Sequence, residues 1–254
     1  MFPLYWKHVL IRTPLERPAR WLQRSAKRWH VLRHPGLRAV FDEEREIDRL
    51  LESVVRPGSN CVDVGAHIGS TLSDIVRRSP RGKHLAFEPV PRKAAWLRRK
   101  FPEVEVREVA LADRTGTVTF AEDRKRPGFS SIAHAGSPPA GEFTVPCDRL
   151  DNIVDPARRV GFLKIDVEGA ELLVLRGATE LIRRDRPTIL FESGPGGAEK
   201  FGFSREQLFR FLAEDLGYSV YLIGEYMRGR GPLDLPTFHE CHVYPFRAFN
   251  YVAA

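Results

Sequence analysis

The chain is poor in sulfur and has no long apolar run. Cys61, Cys147 and Cys241 are its only cysteines, odd in number and widely spaced over 254 residues. This excludes a disulfide framework and offers no cysteine cluster for a metal, so no cysteine metal site is expected. Cys61, inside an apolar stretch, reads as a small buried side chain. No stretch approaches the ~20 apolar residues that span a bilayer, and Val9-Leu10-Ile11 is too short to be the core of a secretory leader. A cytoplasmic location is expected. Also missing is the Gly-x-Gly-x-x-Gly turn that admits a pyrophosphate at a helix N-terminus.

Acidic residues are scarce in one region only. Residues 1–40 contain nine Lys/Arg and a single acid, Glu16, so this arm carries +8 while the whole chain carries +7. The rest is close to neutral, which weakens any nucleic-acid reading of the protein as a whole. The arm also holds Trp6, Trp21 and Trp29, and His34-Pro35-Gly36 interrupts any helix there. Basic residues beside tryptophan suit a helix lying on an anionic membrane surface through residues 1–33. The competing reading packs the tryptophans on the domain or on a second copy of the chain. The expected division is an arm over 1–40 and one α/β domain over 41–254.

Against these absences stands Cys61-Val62-Asp63-Val64-Gly65-Ala66-His67-Ile68-Gly69, followed by Phe87-Glu88-Pro89. An apolar strand ends in an acid, a glycine turn follows, and Leu72, Ile75 and Val76 start an amphipathic helix. A second strand ends in Glu88, 25 residues after Asp63. Parallel sheets bind nucleotide-like ligands at the carboxyl ends of their strands, where an acid can accept hydrogen bonds from both ribose hydroxyls. Gly65 and Gly69 are separated by three residues, with an acid before them. Such a turn repels a phosphate and attracts a cofactor bearing an ammonium group, as S-adenosylmethionine does. Asp63, Gly65, His67, Gly69 and Glu88 are therefore candidate cofactor residues. Asp63 also has a turn-capping role open to it, and His67 a purely structural one.

The remaining pattern alternates. Ile47, Leu50, Leu51, Val54 and Val55 predict a helix from Phe41 that stops at Pro57-Gly58. Strands are expected at Cys61–Val64, His84–Phe87, Val104–Val109, Phe162–Ile165 and Thr188–Phe191, with helices near 70–78, 91–100 and 170–184. That order predicts a mostly parallel sheet with helices on both faces. Ser204-x-x-Gln207 predicts a capping box opening a helix that ends at Gly217. Ser219–Ile223 and Cys241–Phe246 are expected to close the sheet as an antiparallel hairpin. Residues 117–145 break the alternation with a Gly/Ser/Pro loop. Long loops over such a mouth are often lids, which places Ser130 and Ser131 among the candidates near the ligand.

A second chemical cluster is Leu163-Lys164-Ile165-Asp166-Val167-Glu168-Gly169-Ala170-Glu171. Glu171 has an ordinary place in a helix's first turn. Asp166 and Glu168 precede that turn, and strand alternation is expected to put them on one side. They are candidate catalytic acids, able to take a hydroxyl proton, bind a polyol, or hold a divalent cation such as magnesium through oxygen ligands. Glu192, closing the fifth strand, and His239 are candidate substrate contacts, and His242 is a further candidate base. The Asn/Asp-Pro-Pro-aromatic turn used on amino groups of bases is missing, so a hydroxyl acceptor is favoured. A nicotinamide-dependent oxidoreductase and a non-catalytic binding protein with a basic arm remain alternatives.

Asp-Val-Gly-Ala-His-Ile-Gly, Phe-Glu-Pro, Val-Ala-Leu-Ala-Asp (109–113), Ser-Ser-Ile (130–132) and Leu-Lys-Ile-Asp-Val-Glu-Gly-Ala-Glu (163–171) occur in this order. Together they resemble the FkbM family of S-adenosylmethionine-dependent methyltransferases over roughly residues 41–195. The resemblance implies a class I methyltransferase (Rossmann-like) fold and O-methylation of a sugar, glycolipid or secondary metabolite. It also implies that Ala110 and Leu111 flank the adenine.

Overall fold

The amphipathic stripe beginning near residue 41 becomes α1 (Arg38–Val54), three residues longer at its start than the sequence pattern predicts. Its buried Leu50 and Leu51, with Val55 beyond its end, pack on Cys61, Ile75, Phe162, Leu190 and Val252. The structure is a computed structural model, and it describes residues 10–15, 18, 38–121, 131–132 and 142–254. Trp6, Trp21 and Trp29 lie outside the described residues. So does Ser130, while Ser131 is described by its backbone alone.

Strands and helices then alternate as β1 (Asn60–Val64), α2 (Ser70–Arg78), β2 (Leu85–Phe87), α3 (Pro91–Lys100) and β3 (Glu105–Arg107). The interruption follows as β4 (Ala110–Leu111), β5 (Gly116–Ala121), β6 (Ser131–Ile132) and β7 (Glu142–Asp148). One turn, α4 (Leu150–Ile153), leads to β8 (Val160–Ile165), and α5 (Glu171–Gly177) and α6 (Thr179–Asp185) lead to β9 (Thr188–Glu192). The chain ends with α7 (Arg205–Arg210), β10 (Val220–Leu222), α8 (Ile223–Met227), α9 (Leu235–Cys241) and β11 (Asn250–Ala253). The predicted capping box is present, with Gln207 N–H donating to Ser204 Oγ and Ser204 N–H donating to the Gln207 side chain.

The main sheet has seven strands in the order β10-β11-β9-β8-β1-β2-β3. β11 runs antiparallel to both neighbours, and the pairs from β9 to β3 are parallel. Apolar alternation along the strands feeds cores on both faces. Val62, Val64, Leu163, Ile165 and Phe191 join one, while Cys61, Phe162 and Leu190 join the other. A second sheet, β4-β7-β5-β6, holds the segment that broke the alternation.

Beyond the start of α1, several boundaries differ from expectation: β3 is shorter than Val104–Val109, and the helix opened by Ser204 is α-helical only to Arg210 and continues as a π-helix over Phe211–Asp215. The last strand is Asn250–Ala253 and not Cys241–Phe246. Val243 and Tyr244 are exposed and Pro245 has no N–H for a ladder, whereas Tyr251, Val252 and Ala253 are buried between β9 and β10. The predicted 170–184 helix is two helices, broken at Ala178. In the arm, Ile11 is buried with Leu72, Leu97 and Phe101, and Arg12 pairs with Glu103 at 2.7 Å. Among the described residues, no helix is long and apolar enough to cross a membrane.

Candidate active site

Strand register builds the site. Val64 pairs with Phe87 on one side and Ile165 on the other, and Ile165 pairs with Phe191. The next residues along these strands, Gly65, Glu88, Asp166 and Glu192, therefore stand side by side along one edge. After β1 the chain turns sharply. Gly65, His67 and Gly69 have φ of 76°, 52° and 85°. Gly65 must be glycine for a second reason, because a Cβ there would sit 1.8 Å from the Asp166 carbonyl oxygen. His67 occupies a left-handed conformation that non-glycine residues rarely take. Its N–H donates to Glu88 Oε2 at 2.8 Å, and this bond offsets part of the strain.

The turn opens into a cavity of about 280 Å³, a little below the usual ~300 Å³ floor for ligand pockets. Its lining includes Gly65, His67, Glu88, Ala110, Leu111, Asp166 and Glu168, all of them anticipated from sequence. Glu88 is buried, and its two oxygens accept the N–H groups of His67 and Val90. Each carboxylate oxygen keeps a second lone pair, so the pair can still accept from two hydroxyls. Burial holds Glu88 above the ordinary carboxylate range, against the pull of Lys93. Among the described residues, two lysines and no arginine line the cavity, and one of them, Lys164, is engaged by protein carboxylates. Among the described residues, this donor set fits a cofactor with a ribose diol and a cationic centre, as S-adenosylmethionine has, better than it fits a pyrophosphate, which calls for a cationic cradle.

Asp63 and Gly69 lie outside the cavity wall. Asp63 is 1% exposed, and the Lys164 ammonium lies against its Oδ1. Burial raises its pKa although Lys164 pulls it down. Lys164 Nζ lies 3.1 Å from Asp63 Oδ1 and 3.2 Å from Asp166 Oδ2, and donates to the Gly65 carbonyl at 3.0 Å. One buried ammonium thus joins the turns after β1 and β8. Gly69 caps α2, where a Cβ would strike the Phe101 ring.

At the ends of β8 and β9, oxygens of Asp166, Glu168 and Glu192 all lie within 4.8 Å of one another. Asp166 and Glu168 do not meet through strand alternation. Glu168 has a φ of 57°, so a left-handed turn brings it back beside Asp166. Their charge states separate. Burial works to raise Asp166, but Lys164 and a hydrogen bond from Glu192 carry it below its ordinary value. Glu192 is pushed well above the carboxylate range by burial and by Asp166, so it carries the proton of that bond. Glu168 is pushed up to about 7 by burial and by the Asp166 charge. Glu171 is more than a dipole partner. Its Oε1 accepts the Val167 and Gly169 N–H groups at 3.1 and 3.0 Å, which shapes the loop carrying Glu168.

Glu192 meets Asp166 and Glu168 but, like Asp63 and Gly69, is not in the cavity lining, and two more predicted residues do not join the site as expected. His239, on α9, is not in the cavity lining. The side chain of Ser131 lies outside the described residues, and its backbone pairs with Ala121. Sequence reasoning missed Lys93, Lys164 and Phe120, all in the lining. A lysine inside the apolar run Phe162–Ile165 was a signal for the second. Phe120 reaches the cavity only through the second sheet, and nothing local announces that.

A family profile described as Methyltransferase FkbM domain matches residues 63–220, more than half of the chain. Among curated proteins, the chain is similar to the methyltransferase sdnD of Sordaria araneosa, 28% identical over 155 residues, covering 47% of this chain and 60% of that protein. It is also similar to the AMB antimetabolite synthetase AmbE of Pseudomonas aeruginosa, 29% identical over 165 residues, covering 49% of this chain and 8% of that protein. The matched region thus spans less than two thirds of either relative. Among solved structures, it is similar to the methyltransferase FkbM from Methylobacillus flagellatus KT, with a TM-score of 0.48, 16% identity, and 82% and 50% of the two chains covered. It is similar too to SMU.1697c of Streptococcus mutans in complex with SAH, with a TM-score of 0.45, 11% identity, and 81% and 94% covered. The glycine turn, the paired strand-end acids and the Lys164-to-Glu171 loop all fall inside the region matched by the family profile, and the chain belongs to the FkbM methyltransferase family.

Proposed function

We propose that this chain is an S-adenosylmethionine-dependent O-methyltransferase, acting on a hydroxyl of a sugar, glycolipid or secondary metabolite, with Glu168 as the proton acceptor. One observation carries the reading: three carboxylates converge within 4.8 Å beside the cavity, and only one of them is held by a lysine among the described residues. When bound, S-adenosylmethionine supplies an electrophilic methyl group on a good leaving group. Glu88 is assigned to the ribose hydroxyls, Ala110 and Leu111 to the adenine. Asp166, kept ionised by Lys164, is a poor base but a good hydrogen-bond acceptor that orients the incoming hydroxyl. Glu168, poised at about 7, is matched to removing its proton near neutral pH. Aligning oxygen and methyl accounts for much of the remaining rate.

The reading is tested with labelled S-adenosylmethionine and a glycan and glycolipid extract, the methylated product being identified by mass. Turnover should rise with pH through about 7, as Glu168 loses its proton. Glu168→Gln should lose about 10²–10⁴-fold in turnover while S-adenosylhomocysteine affinity is kept. Full activity in that variant removes Glu168 from the mechanism. Loss of activity on chelation and its return with magnesium would recast the three carboxylates as metal ligands. Binding of NAD in place of S-adenosylhomocysteine would instead favour an oxidoreductase.

A further inference from the structure

The acceptor-side carboxylate at the end of β9 is held by buried polar groups that do not touch the cavity. Ser193 follows Glu192 directly. Its N–H donates to the Phe249 carbonyl at 2.7 Å, and its hydroxyl lies 3.0 Å from His242 Nε2. His242 Nδ1 lies 2.7 Å from the Phe238 carbonyl, which can only accept. The Nδ1 atom therefore carries the ring proton, and Nε2 accepts from the Ser193 hydroxyl. Both residues are buried. The imidazole stacks on Tyr251, which stacks in turn on Phe191, the residue before Glu192.

The opposite face of this strand end is held as well. Asn250 stands across from Glu192 in the antiparallel pair. Glu43, buried on α1, accepts the Phe249 and Asn250 N–H groups and the Asn250 side-chain amide. Alternation puts Leu190 in the core beneath α1 and Phe191 in the other core. Glu192 thus points toward the α1 side and Ser193 toward α9. A buried hydroxyl paired with a buried imidazole costs desolvation on both groups, which apolar side chains of similar size would avoid. A hydroxyl here contributes a fixed backbone direction that an apolar side chain cannot.

We propose that Ser193 and His242 are positioning residues that hold Glu192 against Asp166, and so set which acceptor-side carboxylate carries the proton. The pair acts through the backbone of residue 193, with neutral His242 as the fixed end. Burial lowers the His242 pKa, and the positive charge of Arg205 and His239 nearby lowers it further, so the ring stays uncharged against the pull of its hydrogen bonds to Phe238 and Ser193. Around Glu192, the charged groups Asp166, Glu168 and Glu171 all favour its protonated form. The inference rests on the proposed role of these carboxylates in methyl transfer, but its test does not need turnover.

Carbon-13 NMR of the glutamate carboxyl groups, with Glu192 assigned through Glu192→Gln, reads the Glu192 titration directly. In the wild-type chain it should lie well above the ordinary carboxylate range. In folded Ser193→Ala and in His242→Asn it should fall by on the order of one pH unit or more, as Glu192 loses its fixed place beside Asp166. His242→Gln can offer its side-chain oxygen near the position of Nε2 and should keep most of the wild-type value. An unchanged titration in all three variants overturns the proposal, as does equal change in His242→Asn and His242→Gln. Nitrogen-15 NMR of the wild-type histidines needs no variant: His242 should stay neutral with its proton on Nδ1 from pH 5 to 8, and a proton on Nε2 sinks the idea. If these results hold but no hydroxyl is methylated, the positioning stands and the function fails.

Discussion

The two halves of this mouth handle negative charge in different ways. On the cofactor side, Glu88 is buried but surrounded by local backbone: His67 and Val90 N–H groups reach its two oxygens. On the side proposed for the acceptor, Asp166, Glu168 and Glu192 crowd one another, and Lys164, 3.2 Å from Asp166, compensates only part of their charge. Backbone dipoles come with the turn, require no second charge, and leave Glu88 free lone pairs for a ligand. Crowded carboxylates must instead divide protons among themselves, which places Glu168 near neutral pH at a cost to stability. In the proposed function, binding is thus built from fixed dipoles, and proton transfer from incompletely compensated charge.

The sharpest way to break this contrast is Lys164→Met, which keeps the volume of the side-chain stem and removes the shared cation. Asp63 would be left buried and without its cation, beside a half-exposed Asp166 that loses the same partner, and removing one partner of a buried pair typically costs about 3–5 kcal/mol. Chemical denaturation should show a loss of that size, and a loss below about 1 kcal/mol would mean that the acceptor side does not depend on Lys164. Glu88→Ala should have the next largest effect. It removes charge-assisted hydrogen bonds worth about 1.5–3 kcal/mol each, so S-adenosylhomocysteine affinity should fall at least about tenfold by calorimetry. Unchanged affinity in the folded variant would move the ribose elsewhere. Asp166→Asn sharpens the comparison from the other side: turnover should fall while cofactor affinity changes by less than about threefold, since Asp166 is assigned to the acceptor and its loss is felt in the reacting geometry.

The smallest expected effect concerns pH. Glu168 has a folded pKa of about 7, raised above its ordinary 4.5. The native state therefore holds a proton that the unfolded chain releases, and stability falls as pH rises from about 4.5 to 7. The ion-paired carboxylates Glu105 and Asp185, and Asp148 held by hydrogen bonds from Thr115, Asn152 and the Arg149 N–H, are shifted down and act at lower pH. Buried neutral His84 and His242 act in the opposite sense over an overlapping range, because the unfolded chain gains their protons below about 6.5. The prediction is thus a difference between proteins. Urea midpoints measured at pH 5 and pH 8 should separate less in Glu168→Gln than in the wild type, by on the order of 1 kcal/mol in stability. An equal or larger separation would mean that Glu168 is solvated and that the crowding is overstated.

Much of the cofactor side is legible in the amino-acid sequence because its elements are local. A strand period ending in an acid, a Gly-x-x-x-Gly turn and a following helix occupy one stretch of chain, and Gly65 and Gly69 do adopt left-handed backbone there. The acceptor side is legible as residue types and not as an arrangement. Asp166, Glu168 and Glu192 stand out as candidates, but Glu168 meets Asp166 by a turn and Glu192 meets both across β8 and β9. Cys241–Phe246 resembles a strand because it is apolar and aromatic. Asn250–Ala253 takes that place because it fits between β9 and β10 with its side chains buried.

The sequence by itself determined the parallel α/β sheet, the edge at which a ligand sits and the glycine turn that meets it, since periodicity and strand-end residues act over a few positions. Only the tertiary structure decided the protons. Whether Asp166 is held ionised by Lys164, Glu168 is poised at about 7 and Glu192 is protonated depends on distances and burial set by strands far apart in the chain. A carboxylate's charge is governed by what desolvates it and what stands within a few ångströms, and residue order does not carry that information.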